Sequence, residues 1–137
     1  MVTAATEELI AKAKEELQKM RENRQRWGVS FEIKNIQEYL SQAGVGLDAI
    51  GTSEEELQES FKMGHTNAAK TWLQMARERC RTQDVSTEVG YIRSLVAEAN
   101  ITLDAIGTSE EELNKLLAAY KPARNWLAKL FRRKDTT

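Results

Sequence analysis

Nothing in this chain can close an internal disulfide, because Cys80 is its one cysteine. That absence suits a reducing compartment. His65 is the one histidine, so the pair falls well short of a zinc ligand set. Net charge is almost absent as well: 20 basic and 21 acidic side chains leave −1. No bulk charge draws the chain to nucleic acid or to a membrane, and any electrostatic argument rests on where the charges sit. No apolar run approaches the roughly 20 residues needed to span a bilayer. Met1 to Glu8 lack the basic and then apolar run of a secretory leader. The expectation is a soluble cytoplasmic protein. With 41% apolar and 30% charged residues in 137, it reads as one helical domain, 1–137, and not as a disordered segment.

What the chain does have is a repeat. Leu47-Asp48-Ala49-Ile50-Gly51-Thr52-Ser53-Glu54-Glu55-Glu56-Leu57 returns letter for letter as Leu103 to Leu113. The shift that carries Leu47 onto Leu103 also matches Lys14 to Lys70, Leu17 to Leu73, Gln18 to Gln74, Arg21 to Arg77 and Glu22 to Glu78. Between 31–46 and 87–102, by contrast, only Glu32/Glu88, Ile36/Ile92 and Ala43/Ala99 agree. Ala123 to Leu127 aligns as a last copy through Trp72-Leu73, with two residues deleted. A period of about 56 residues is the mark of stacked helical units. The expected fold is all-α, a short solenoid-like or bundle stack of about five to six helices. Its parts are a partial unit 1–29, a unit 30–85 and a unit 86–137.

The apolar periodicity places the helices. Leu9, Ala13, Leu17 and Met20 predict a first helix from about Ala4–Thr6 to about Arg26, stopped by a left-handed Gly28. Ser30 is the expected N-cap of a second helix carrying Ile33, Ile36, Tyr39, Leu40 and Ala43, ended by Gly44. In the signature, Ser53 and Glu56 have the spacing of a capping box, and Glu54 and Glu55 favour the positive end of the helix dipole. Leu57, Phe61, His65, Ala69, Trp72, Ala76 and Cys80 continue one stripe, in which Gly64 predicts a break within Met63–Thr66. Pro122 predicts a second break within Tyr120–Pro122. Ser86, Val89, Ile92, Leu95, Val96 and Ala99 repeat the second helix, with Asn100 standing where Gly44 stood.

Catalytic chemistry finds little support. Asp48 to Glu54 resembles a calcium loop only superficially, since Ala49 and Ile50 fall where oxygen ligands belong and Gly51 comes too early. His65 and Cys80, on one predicted helix, are over about 20 Å apart at a rise of about 1.5 Å per residue. There is no glycine-rich phosphate loop and no nucleophile elbow. No catalytic, metal or cofactor site is assigned, and the expectation is a protein that is not an enzyme.

Two features remain. Capping and core contacts do not by themselves require Asp48, Glu54 and Glu55 to recur as Asp104, Glu110 and Glu111. An acidic surface presented to a protein partner would, and so would a demanding turn that tolerates few sequences. The long helices also start acidic and finish basic, so stacking brings Arg24, Arg77, Arg81, Arg132 and Arg133 toward one edge, beside Trp27. The first feature reads as a non-enzymatic interaction module. The second reads as a nucleic-acid-binding accessory protein. A homo-oligomer fits either. Membrane attachment through Trp126, Leu127, Leu130 and Phe131 with Arg132 and Arg133 is disfavoured, because the core wants those apolar residues.

Overall fold

The computed structural model describes residues 3–121. These residues form five α-helices and no strand: α1 (Ala4–Asn23), α2 (Ser30–Ala43), α3 (Glu54–Arg79), α4 (Ser86–Glu98) and α5 (Glu110–Ala119). A 3-10 turn, Leu47–Ile50, precedes α3, and another, Asp104–Ile106, precedes α5. The expected last copy, Ala123 to Leu127, lies outside the described residues, as do Leu130, Phe131, Arg132 and Arg133. No helix among the described residues is long and apolar enough to cross a membrane.

Two apolar clusters organise the helices. Ala13, Leu17 and Met20 of α1 meet Ile36 and Leu40 of α2, closed by Val29, Ile50 and Leu57. Ala69, Leu73 and Ala76 of α3 meet Val89 and Ile92 of α4, closed by Cys80, Val85, Ile106, Leu113 and Leu116. Under the shift that carries Leu47 onto Leu103, seven of the eight first-cluster positions land on second-cluster members, and the eighth, Leu40, lands on half-buried Val96. Burying one leucine of this kind is worth about 1.5–3 kcal/mol. The helix α3 belongs to both clusters, giving Leu57 to the first and Ala69 to Ala76 to the second. Its 26 residues make a rod of about 39 Å at the usual rise.

The expected break in α3 is absent: the helix runs unbroken through Met63–Thr66. Gly64 serves a different purpose. A Cβ there would lie 2.5 Å from the carbonyl oxygen of Trp27 and 3.3 Å from Gly28 Cα. The glycine therefore lets α3 pass directly over the turn that leaves α1. Thr66 starts no new helix, and its hydroxyl donates back to Lys62 O at 2.7 Å. At Tyr120 the expected stop is real. The helix α5 ends at Ala119 and Tyr120 is extended, two residues ahead of Pro122, whose ring disfavours a helical Lys121.

Other boundaries shift for local reasons. The helix α1 ends at Asn23, with Arg24 still right-handed, and Arg26 and Trp27 amides both donate to Asn23 O. Gly28 is not among the residues with positive φ; a Cβ there would lie 3.6 Å from the His65 ring. Gly44 and Asn100 do adopt the left-handed conformation, at φ 71° and 53°. Ser30 and Ser86 are first helical residues and not caps, because Val29 and Val85 precede them as buried N-cap residues. Buried valines precede each helix where a capping hydroxyl was expected, and ahead of α4 the Asp84 carboxylate accepts from Ser86 N at 3.0 Å.

Candidate functional site

The two signatures are built alike down to single atoms. Ser53 Oγ accepts from Glu56 N at 3.1 Å, and Ser109 Oγ from Glu112 N at 3.1 Å, so each serine caps its helix. The other half of the expected capping box does not form, because the glutamate is taken elsewhere. Arg21 donates to both oxygens of Glu56, Nε at 2.9 Å and Nη2 at 2.8 Å, and Nη2 also reaches Gly51 O at 3.2 Å. Arg77 does the same to Glu112, at 3.0 and 2.7 Å, and to Gly107 O at 2.9 Å. Thr52 and Thr108 each donate a 2.6 Å bond to that carboxylate. Together these bonds hold Glu56 down to a pKa of about 2, chiefly through Arg21 and then Thr52. Glu112 is lowered by Arg77 and Thr108, and both arginines are raised by their glutamates. This clasp was missed from the sequence, although its members, 35 residues apart, all lie among the positions preserved in both copies.

The remaining acidic positions part company. Glu110 is bound by Arg93 at 2.7 Å and Glu111 by Lys115 at 3.3 Å. Glu54 and Glu55 have no such partner within 4.0 Å among the described residues. The cause is readable in the repeat: Gln37 and Glu59 stand in the first copy where Arg93 and Lys115 stand in the second. Asp48 and Asp104 are both exposed in the 3-10 turns. A Cβ at Gly46 would lie 2.8 Å from Asp48 Oδ1, so that carboxylate folds back over the turn.

Glu54 and Glu55 line a groove of about 600 Å³ between α2, α3 and the end of α4. Its floor is apolar, from Ile33, Leu57, Phe61 and Ala99, all buried or half-buried. Its exposed rim carries Glu54, Glu55, Glu59 and Glu98 against one cation, Lys62. His65 holds the far wall in place. The ring is 2% exposed, stacks on Phe61 at 4.1 Å, and sets its nitrogens 3.1 Å from Phe61 O and 2.9 Å from Glu98 Oε2. The second signature meets no later helix among the described residues, so this wall belongs to the first copy.

The basic residues are partly committed already. Arg77 is held by Glu112, and Arg24 Nη1 donates to Ser60 Oγ at 2.8 Å and to Glu56 at 3.3 Å. Asn67 further donates to Arg24 O. Arg81 is exposed, and Trp27 is 51% exposed, with Phe31 and Met63 also exposed. Arg132 and Arg133 lie outside the described residues.

Cys80 is buried and its thiol donates to Arg77 O at 3.6 Å, far along α3 from the engaged His65. Among the described residues no three His, Cys, Asp or Glu side chains gather where a metal could bind. Comparison with protein-family models, with curated proteins and with solved structures finds no match to this chain.

Proposed function

We propose that the chain is a non-enzymatic helical-repeat module that binds a protein partner, with the groove between α2, α3 and the end of α4 as its docking site. Two copies of one helical unit, clasped by Arg21–Glu56 and Arg77–Glu112, make a short solenoid, and the matched clusters support that reading. One observation carries the site. Glu54 and Glu55 keep open carboxylates over an apolar floor, while their copies Glu110 and Glu111 are neutralised by Arg93 and Lys115. A volume of about 600 Å³ is within the range of binding clefts, and an apolar floor with a charged rim is how a helix face is commonly received. The nucleic-acid reading is less favoured, because Arg24 and Arg77 are spent on carboxylates within the fold.

The test is co-purification from the native host with Glu54→Gln/Glu55→Gln and Glu110→Gln/Glu111→Gln variants. The expected outcome is a protein partner lost with the first pair and kept with the second. Equal recovery by both would remove the groove as the site. Recovery of nuclease-sensitive material by both would turn the reading to nucleic acid.

A further inference from the structure

The groove has four rim carboxylates and one lysine, so its partner carries positive charge beside an apolar face. Residues 122–137 of this same chain have that character. Trp126, Leu127, Leu130 and Phe131 recur at the spacing of one helix face. Arg124, Lys129, Arg132, Arg133 and Lys134 accompany them, and no acidic residue comes before Asp135. We propose that the groove receives residues 123–134 of a second copy of this chain, so that the protein assembles with itself through its C-terminal segment. The inference rests on the docking role proposed for the groove.

Reach decides between the chain's own segment and another's. Arg77, near the end of α3, holds Glu112 of α5, and Leu116 of α5 shares a cluster with Cys80 just past the end of α3. In the first copy the corresponding step, from Arg21–Glu56 to Arg24–Ser60, moves toward the C-terminal ends of both helices. By the same step α5 leads away from the groove, which lies at the other end of α3 around Glu54 to Lys62. From the level of Cys80 back to Glu59 is about 31 Å along the helix at about 1.5 Å per residue. Lys121 and Trp126 are five positions apart, about 17 Å fully extended, and a helix carrying Trp126 to Phe131 on one face adds about 8 Å. A chain therefore falls short of its own groove, and a second copy meets no such limit. The two joined surfaces differ, which makes the contact heterologous: two chains close by exchanging segments, or more chains add head to tail.

The full chain is examined by sedimentation velocity over a wide concentration range. The expected result is a mass that rises above the monomer with concentration and returns toward it in high salt. Glu54→Lys/Glu59→Lys on the groove and Leu130→Asp/Phe131→Asp on the segment should each weaken association by about tenfold or more, about 1.4 kcal/mol for each factor of ten. Glu54→Gln/Glu59→Gln gives the same direction should a reversed charge disturb the helix, with helical content checked by circular dichroism. Mixing the groove variant with the segment variant restores one good junction, and association recovers in the mixture alone. A wild-type chain that stays monomeric throughout overturns the proposal, as does a mixture that fails to recover. Labelled peptide 122–137 and an unrelated basic amphipathic peptide are then added to the segment variant. Tight binding of peptide 122–137 alone supports self-docking. Binding of the unrelated peptide alone overturns self-docking and leaves the groove a docking site for another protein. Binding of neither removes both readings.

Discussion

The carboxylate of Glu56 accepts two bonds from Arg21 and one from Thr52, whereas that of Glu54, two residues earlier, looks into the groove. One substitution chemistry therefore has two outcomes. Glu56→Gln is expected to lower stability by about 1–2 kcal/mol at neutral pH through lost charge-assisted bonds. Glu54→Gln is expected to stay within about 0.5 kcal/mol, as exposed substitutions do. Urea melts of both variants measure the difference, and equal losses would refute the division of roles. Acid separates them further. Because Glu56 titrates at about 2 when folded and near 4.3 when unfolded, its ionised form stabilises the fold above pH of about 4.3. That contribution is lost as pH falls toward about 2. Across this window the parent should lose stability more steeply than Glu56→Gln; parallel curves would mean that the clasp is not an acid-sensitive element.

At the scale of the helix, Gly64 and Gly90 make a matched test. An alanine at 64 drives a Cβ to 2.5 Å from the Trp27 carbonyl, which is backbone and cannot swing away. Gly64→Ala should cost about 1–3 kcal/mol as an overpacked contact. Gly90 lies inside α4 with nothing within 4 Å of an added Cβ, so Gly90→Ala should stabilise by about 0.5–1 kcal/mol through helix propensity. Thermal melts that moved both the same way would count against the close approach. These glycines also explain which elements could be read in advance. The stops at Gly44 and Asn100 follow from a left-handed φ, a local property written in the residue itself. The purpose of Gly64 depends on Trp27, far back in the chain beyond all of α2, and looked from the sequence like a helix breaker. The same distance hid the groove. Its acidic rim at Glu54 and Glu55 was visible, but Glu59, Glu98 and the neutralising Arg93 and Lys115 became meaningful only once α2, α3 and α4 were placed together.

At the scale of the whole molecule, α3 is, among the described residues, the one helix shared by both apolar clusters, so it should make them unfold together. Lys70 is exposed near its middle. Lys70→Pro removes a helical hydrogen bond at about 3 kcal/mol and should let the clusters open separately. Hydrogen exchange read by mass spectrometry would then show two opening free energies in place of one. A shared value in the variant would mean that coupling runs through other contacts. A chain with two identical eleven-residue segments also meets a sorting problem while it folds, since Arg21 can close on Glu112 as readily as on Glu56. The neighbouring positions tell the copies apart. In the first copy, Arg24 meets the hydroxyl of Ser60; at the matching positions of the second, Cys80 and Leu116 share an apolar cluster. Crossed pairing sets a guanidinium against a leucine and a thiol against a serine, which leaves buried polar groups unmatched. The pair thus acts as an address label that disfavours the wrong copy. Replacing it with the second copy's residues, Arg24→Cys with Ser60→Leu, should erase the label. Stopped-flow refolding is then expected to gain a slow phase from mispaired chains, and refolding as clean as the parent's would show that the copies are sorted elsewhere.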